Sequence, residues 1–289
     1  MTRHKVHLTW WWGVALLAVA VALLWLAAPG LPDGRLHVYF LDVGQGDAIF
    51  VRTPRGQQIL VDGGPSPAAL LAQLAEVTPF WDRSMDLVVA THPDAAQLTG
   101  LLPVLERYHV AEVMDAVPVA KTDALWAAWQ EHVANSGATH VIGQRGLQLA
   151  VGDLLVTVLH PGQVPLTGTS ADDNNNGLVL RLDYGQNSFL LTADAQAEAE
   201  AQMLASGVRL KADVLKVGHH GSRLSSSAPF VAAVAPRIAV IQVGKGNHFG
   251  QPDPEALARL ASAAIFRTDL NGRVEVIGDG QNLWVKTER

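Results

Sequence analysis

Short apolar runs bounded by glycine and polar turns alternate with segments of helical periodicity along most of the chain. Runs of this kind are typical of strands, and apolar positions three and four residues apart are typical of helices. The pattern predicts strands at residues 36–40, 48–52, 58–61, 87–90, 147–149, 154–159, 178–184, 188–192, 214–217, 238–243, 273–277 and 283–286. It predicts helices at residues 67–75, 98–108, 124–136, 195–206, 229–234 and 255–261. Strands and helices interleaved without an internal linker predict one α/β domain.

The pattern differs near the N-terminus, where residues 8–28 contain no charged side chain. About 20 helical residues cross a bilayer core of about 30 Å, so the length of this run fits a single membrane span. Trp10, Trp11 and Trp12 lie at one end and Trp25 lies near the other, where interfacial aromatic residues occur. We therefore predict one transmembrane helix at about residues 8–28.

Arg3 and Lys5 precede this run and favour a cytoplasmic N-terminus, with the following domain on the extracytoplasmic side of the cell membrane. The predicted organisation is an anchor at residues 1–30 followed by one domain at residues 31–289. A cleaved signal peptide is the alternative, although the apolar run is longer than the apolar region of such a peptide.

Charge and cysteine content narrow the functional classes. The formal net charge is −6, and without Arg3 and Lys5 the remaining 19 basic and 27 acidic side chains give −8. Proteins that bind nucleic acid usually carry a basic stripe, so the acidic balance argues against tight binding across the whole surface. The chain has no cysteine, which excludes disulfides and thiolate metal ligands.

Polar residues gather at the ends of several predicted strands, which is where sites form in α/β folds. The segments are Asp-Val-Gly-Gln-Gly-Asp at residues 42–47, Val-Asp-Gly-Gly at 61–64, Thr-His-Pro-Asp at 91–94 and Lys-Val-Gly-His-His-Gly-Ser at 216–222. Asp47 and Asp62 stand next to glycines and can bond loop amides, so we expect them to shape their loops.

Imidazole and carboxylate side chains in these segments predict a metal site. The candidate ligands are His92, Asp94, Asp194, His219 and His220. Nitrogen and carboxylate oxygen donors suit Zn²⁺ or Mn²⁺. Neighbouring side chains of an extended chain point in opposite directions, so one of the two adjacent histidines is expected to reach the metal. The pattern leaves open which one.

The order of these segments resembles the metallo-β-lactamase domain of ComEC-type competence proteins. The eight matching segments over residues 36–277 read FLDVGQGDAIFV, ILVDGG, THPD, NNNGLVLRL, FLLTAD, ADVLKVGHHGS, NHFGQP at residues 247–252 and RTD. The resemblance implies a four-layer αββα sandwich with a hydrolase site for one or two metals, acting as a nuclease on DNA that enters through a membrane channel. The expected partners are the membrane, DNA or another anionic substrate, and a channel-forming membrane protein.

Several positions depart from the family's motifs. Residues 92–94 match the start of its His-Pro-Asp-x-Asp-His, but the later Asp and His are Ala96 and Gln97 here. The histidine of its Tyr-Gly-His-Pro is Gln251. Three missing ligands leave about the set that one catalytic zinc needs, so we expect at most one ion.

The remaining residues receive roles from the motifs or from their nearness in sequence to the site segments, and ordinary solvated charges are the alternative for the basic ones. Asp94 and Asp194 are expected to act in catalysis by orienting water, Asp194 standing in Thr-Ala-Asp where the family has Thr-Gly-Asp. Basic residues near the site segments are expected to meet an anionic substrate: Lys216, Arg223 and Lys245. Other residues are expected to support ligands or shape loops: Asp47, Asp62, Asn176, Ser222 and His248.

Two functional hypotheses follow. One is a hydrolase with a single metal ion that acts on a phosphoester or an ester, with reduced or altered activity. The other is a catalytically inactive binding or scaffold module at the membrane, favoured by the changes at Ala96, Gln97 and Gln251. A full two-metal nuclease fits these changes and the acidic charge less well. A stoichiometric metal ion separates the first two hypotheses.

Overall fold

The computed structural model describes residues 10–19, 21, 30–119 and 123–289, and its strands form two mixed sheets. The first sheet contains β1 (Leu36–Phe40), β2 (Ile49–Arg52), β3 (Gln58–Val61), β4 (Ser84–Ala90), β5 (His109–Asp115), β6 (Thr139–Ile142), β14 (Val274–Gly278) and β15 (Leu283–Thr287). The second contains β7 (Gln148–Val151), β8 (Leu154–His160), β9 (Val179–Tyr184), β10 (Asn187–Leu191), β11 (Val214–Lys216), β12 (Ile238–Ile241) and β13 (Ala264–Arg267). Their spatial orders are β15-β14-β1-β2-β3-β4-β5-β6 and β13-β12-β11-β10-β9-β8-β7.

Helices cover the outer face of each sheet. They are α1 (Pro67–Val77), α2 (Ala95–Leu98), α3 (Leu102–Arg107), α4 (Ala124–Ser136), α5 (Ala197–Ser206), α6 (Ala228–Val234), α7 (Pro254–Arg259) and α8 (Thr268–Asn271), with 3-10 turns at Thr99–Leu101, Asn174–Asn176 and Gly218–Gly221. α1 begins at a proline, and the Ser66 hydroxyl before it accepts the Ala69 N–H, which caps the free amides of its first turn.

Three apolar clusters hold the layers together, and strand periodicity decides which residue joins which cluster. Leu87 and Val89 of β4 pack between the two sheets, whereas Val88 and Ala90 face the helices on the first sheet. Phe230 of α6 lies in the third cluster, between the second sheet and its helices. Because both faces of each sheet are buried, the layers run helix, sheet, sheet, helix. This confirms the two-sheet α/β fold that the resemblance implied.

About half of the predicted transmembrane helix at residues 8–28 lies outside the described residues, which include residues 10–19 and 21 of it. Residues 10–19 are helical. Among the residues that the structure describes, we find no helix with both the length and the apolar character that a membrane crossing requires.

Parallel pairing gathers the carboxyl ends of the central strands at one edge of the sandwich. β3 pairs in parallel with β4 in the first sheet, and β10 pairs in parallel with β11 in the second. We call the edge at which these four strands end the histidine edge, because His92 follows β4 and His220 follows β11. The first residues after these strands therefore lie close together, as in other α/β proteins.

Candidate metal centre

The loops of the histidine edge hold several non-glycine residues in the left-handed region of backbone space. The φ angles are 59° at Asp62, 46° at Ala193, 47° at His219 and 55° at His220. Such a conformation costs an L-residue about 1–2 kcal/mol, and it concentrates where a site requires a particular backbone. At Ala193, where the family motif has glycine, the cost follows directly from the added Cβ.

Asp194 lies at the centre of the candidate site. Its Oδ2 atom is 3.6 Å from His92 Nε2 and 3.6 Å from His220 Nε2. Ligands held at about 2.0–2.2 Å in a tetrahedron are separated by about 3.3 Å, so these contacts are close to those of a coordination shell. All three side chains are buried.

The loop after β3 orients His92. The Asp62 carboxylate accepts the Thr91 N–H at 2.8 Å and the Thr91 hydroxyl at 2.7 Å, and that hydroxyl lies 2.9 Å from His92 Nδ1. A hydroxyl that donates to Asp62 can only accept from Nδ1–H, which leaves Nε2 as the free nitrogen facing Asp194. Burial raises the pKa of Asp62 to about 7, against the lowering effect of His92 and of the hydrogen bonds from Thr91.

A backbone carbonyl orients His220. Its Nδ1 lies 2.9 Å from the carbonyl oxygen of Gln242, which only accepts, so Nδ1 carries the hydrogen and Nε2 faces Asp194. Burial alone would lower the pKa of His220, but the carboxylates of Asp194 and Asp47 outweigh it and raise that pKa to about 9. His220 is therefore cationic at neutral pH when no metal is bound.

The structure brings His220, and not His219, against Asp194. His219 is half-buried, and its Nδ1 lies 3.2 Å from the amide nitrogen of Gln196. The amide donates, so Nδ1 of His219 accepts and is already used within the loop. Burial lowers the pKa of His219 below its usual range, as expected for a neutral imidazole.

Asp94 stands at the start of α2, and its N–H bonds the carbonyl of His92. The negative charges of Asp194 and Asp94 both favour the protonated form of His92. Burial opposes these charges, yet the pKa of His92 is raised above its usual value. Asp94 and His92 are both outside the group of acidic and histidine side chains whose ligand atoms lie within 4.8 Å of one another, which is Asp47, Asp194 and His220. His92 touches this group only through Asp194.

A buried lysine lies inside this group. The Lys216 ammonium forms an ion pair with Asp47, donates to the Ala193 carbonyl at 2.6 Å and lies 3.7 Å from Asp194 Oδ1. Only 1% of Lys216 is exposed, so its charge serves the carboxylates and is not available to a substrate, in contrast to the predicted role. Asp47 is thus better described as the partner of Lys216 than as a metal ligand.

Side chains at two of the altered motif positions make internal hydrogen bonds. The Gln97 amide donates to Asp194 Oδ2 at 3.1 Å, and the Gln251 carbonyl oxygen accepts from the Gln45 amide at 2.7 Å. The Ala96 carbonyl accepts the Asp47 N–H at 3.2 Å. Gln97 still contacts the centre through Asp194, but its neutral amide is a weaker ligand than the histidine of the family motif.

The other predicted residues lie around the centre. Asn176 bonds the backbone of Leu166 and Asp172, and Ser222 accepts the Leu224 N–H, so both shape loops. Arg223, Lys245 and His248 are exposed. Two residues of the site were not anticipated: Thr91 and Gln242. A polar residue next to a histidine or at the end of an apolar strand was the only signal for them.

The donor set fits a divalent metal ion. His92 Nε2 and Asp194 Oδ1 are buried without a hydrogen-bond partner, a costly state for polar atoms. His220 and Asp194 offer ligand atoms that lie together, and His92 Nε2, 3.6 Å from Asp194 Oδ2, would have to move closer to His220 to complete the set. Two imidazole nitrogens and one carboxylate are the three protein ligands typical of a catalytic zinc. Burial raises the pKa of Asp194, but His220, His92 and Lys216 reverse this and hold it well below its usual range, so the carboxylate is ionised.

The metallo-β-lactamase superfamily profile matches residues 41–245, more than two thirds of the 289 residues. The chain belongs to the metallo-β-lactamase superfamily. Metal binding is characteristic of this fold, and the candidate site lies within the matched region.

Within the superfamily, the chain is related to ComEC-type competence proteins. It is 31% identical over 262 residues to ComE operon protein 3 of Bacillus subtilis (strain 168), covering 83% of this chain and 32% of that protein. It is 29% identical over 267 residues to competence protein ComA of Neisseria gonorrhoeae, covering 91% and 35%. It is 31% identical over 243 residues to recombination protein 2 of Haemophilus influenzae, covering 82% and 28%. The chain thus spans about a third of the length of these relatives.

Solved structures support the same fold. The metallo-β-lactamase fold protein YhfI from Bacillus subtilis superposes with a TM-score of 0.54 at 13% identity, covering 81% of this chain and 97% of that protein. The CmlA β-hydroxylase E377D mutant also superposes with a TM-score of 0.54, at 16% identity, covering 85% of this chain and 54% of that one. At such identities the likeness concerns the fold alone.

Proposed function

We propose that the chain is a membrane-tethered, metal-dependent hydrolase with a single ion, acting on a phosphoester or an ester. One observation carries the proposal: Asp194 Oδ2 lies 3.6 Å from the Nε2 atoms of both His92 and His220. The apolar run at residues 8–28 supports the tether by its length and lack of charge. The kinship with competence proteins makes nucleic acid the first substrate class to test.

His92, His220 and Asp194 would hold the ion. When bound, a divalent ion supplies Lewis acidity to the oxygen of a scissile ester and activates water for attack. Asp194 Oδ1, which is buried without a hydrogen-bond partner, is placed to accept a proton or to orient the attacking water. Lys216 neutralises Asp47, which leaves Asp194 as the carboxylate available to the ion.

A non-catalytic binding module at the membrane is the second candidate. The observation in its favour is the bond from the Gln97 amide to Asp194 Oδ2, which satisfies this oxygen without a metal. The Lys216 ammonium, 3.7 Å from Asp194 Oδ1, supplies further positive charge to the same carboxylate. In this case the centre would be a self-contained polar network that fixes the loops of the histidine edge.

Metal content distinguishes the two candidates. We expect the full-length protein, dialysed against trace Zn²⁺ and Mn²⁺, to retain about one ion per chain, the number that three protein ligands support. His92→Ala is expected to lower this content at least about tenfold, because ligand removal weakens the site. The matched control is His248→Ala, which removes an exposed imidazole of the same edge and should leave the content unchanged. Elemental analysis of the three proteins is the measurement.

If the unsubstituted protein retains neither Zn²⁺ nor Mn²⁺ after dialysis, the second candidate function is favoured. Equal metal content in His92→Ala and His248→Ala would instead place the ion elsewhere. If metal is present, a screen of phosphodiesters and carboxylic esters then identifies the reaction.

Metal affinity is expected to rise with pH. His220 must lose a proton to become a ligand, and its pKa in the metal-free protein is about 9. Protons compete with the ion below that value, so the apparent affinity should fall by up to about tenfold for each unit of pH from 9 to 6. Competition with a chromogenic zinc indicator measures this slope. A flat affinity over that range would show that His220 does not bind the ion.

A further inference from the structure

Phe80 and Trp81 form an exposed aromatic pair on the side of the domain opposite the metal centre. Their rings lie 4.8 Å apart at 82°, and 64% and 54% of these residues are exposed. α1 starts after β3 at the histidine edge and ends at Val77, and β4 starts at Ser84 and returns to that edge. The pair lies between these two points, so it belongs to the far edge of the sandwich.

Two unpaired cations lie beside this pair. Arg83 and Arg107 line a groove of about 240 Å³ together with Phe80 and Tyr108. Burial raises the pKa of the Tyr108 hydroxyl. The positive charges of Arg83 and Arg107 partly oppose this rise, as expected for guanidinium groups close to the Tyr108 ring. Both arginines are exposed, and within the described part of the chain neither has an ion-pair partner.

The nearest acidic side chain is turned towards the domain. The Asp82 carboxylate accepts the Gln58 amide at 2.6 Å and the Ser84 N–H and hydroxyl at 3.1 and 2.7 Å. Its charge is therefore satisfied by neutral donors of the first sheet. The outer surface at this edge combines exposed aromatic rings with positive charge, whereas the chain as a whole is acidic.

Gly30, which follows the apolar run in the sequence, lies at this same edge. Gly30 is buried, and a methyl group placed on it would collide with the ring of Pro79, the residue before Phe80. Only two peptide bonds separate Gly30 from Ala28, where the apolar run of residues 8–28 ends. The chain therefore joins the domain directly beside the aromatic pair.

We infer that the surface of Phe80, Trp81, Arg83 and Arg107, the aromatic edge, docks the domain on the anionic surface of the lipid bilayer that holds residues 8–28. Aromatic rings favour the interface between headgroups and acyl chains, and each arginine near an anionic leaflet adds attraction. The inference rests on the membrane tether of the proposed function. The tether alone would allow any orientation, whereas the aromatic edge selects one.

This docking fixes the position of the candidate metal centre. β4 has seven residues and connects the two edges, a length of roughly 23 Å at about 3.3 Å per residue. The histidine edge therefore faces away from the bilayer, at about that height above it. A substrate reaches the metal centre from the aqueous phase and not from the lipid surface.

Site-directed fluorescence in vesicles tests the orientation. The chain has no cysteine, so Ala75→Cys beside the aromatic edge and Lys245→Cys at the histidine edge each give a unique labelling site on the full chain. The labelled proteins are reconstituted in vesicles of phosphatidylethanolamine and phosphatidylglycerol that contain lipid with a doxyl quencher near the headgroup. We expect the label at residue 75 to be quenched about twofold or more over the label at residue 245.

Phe80→Ser combined with Trp81→Ser is expected to abolish this excess quenching while the chain still floats with the vesicles. The matched control is Phe249→Ser, which removes an aromatic ring that is 73% exposed in the loop after β12 and should leave the quenching unchanged. Replacing phosphatidylglycerol by phosphatidylcholine should weaken the quenching as well, because the arginines lose their anionic partners.

The possible failures are distinguishable. Chains that float with the vesicles but show equal quenching at both positions overturn the docking and leave the tether intact. Chains that do not float overturn the tether and the docking together. The label at residue 75 could also be shielded from water in native membranes but not in pure lipid vesicles. That result overturns lipid docking in favour of a protein partner.

Discussion

Replacing Lys216 by methionine is expected to destabilise the metal-free protein by about 3–5 kcal/mol, the usual cost of leaving a buried charge without its partner. The Lys216 ammonium is paired with Asp47 and lies 3.7 Å from Asp194 Oδ1. Methionine fills similar space but leaves Asp47 and Asp194 to share the charge of His220, and it removes the Lys216 hydrogen bond of the Ala193 carbonyl, which keeps only the His219 N–H. Urea unfolding of the two proteins after chelation is the measurement.

The double variant Lys216→Met with Asp47→Asn is the matched control. It removes both members of the buried pair, so most of the lost stability should return. Added Zn²⁺ should stabilise Lys216→Met more than the unsubstituted protein, because Asp47 is then free beside Asp194 and His220. Unchanged stability of the single variant would mean that the ion pair does not carry the stability of these loops.

The central strands and most helices could be predicted from the sequence because their apolar patterns are local. Three strands were missed, and all lack such a pattern. In β5, exposed positions at His109 and Ala111 interrupt the apolar run, whereas β6 and β13 lie at sheet edges where only partial burial is required. The predicted helix at residues 98–108 is instead a 3-10 turn followed by α3, with Pro103 in its first turn.

The segments of the candidate site were also predictable, but the roles of individual side chains were not. We expected the side chains of His219 and His220 to point in opposite directions because we assumed an extended chain at this point. Both residues instead adopt the left-handed backbone conformation. Their orientations depend on Gln196 and Gln242, each more than twenty residues away. Lys216 pairs with Asp47 across 169 positions, and no local pattern reports a contact of that separation.

The variant Ala96→Asp with Gln97→His, which restores two residues of the altered family motif, is expected to bind a second metal ion. Gln97 is fully buried, and its amide nitrogen is 3.1 Å from Asp194 Oδ2, so an imidazole at this position reaches the same carboxylate. The introduced aspartate and histidine restore the two ligands of the family motif, and together with Asp194 they would supply donors for a second ion. We expect metal content to rise from about one to about two ions per chain, and any phosphodiesterase activity to rise about tenfold or more.

Elemental analysis and phosphodiester turnover of the same preparations test this expectation. Ala96→Asn with Gln97→Met is the control, because it changes both positions to side chains of similar size that are poor ligands for a divalent ion. A content that stays at one ion would mean that the Lys216 ammonium already supplies the positive charge of the second ion. In that case, adding Lys216→Met should admit the ion, since it frees Asp47 and removes the competing cation.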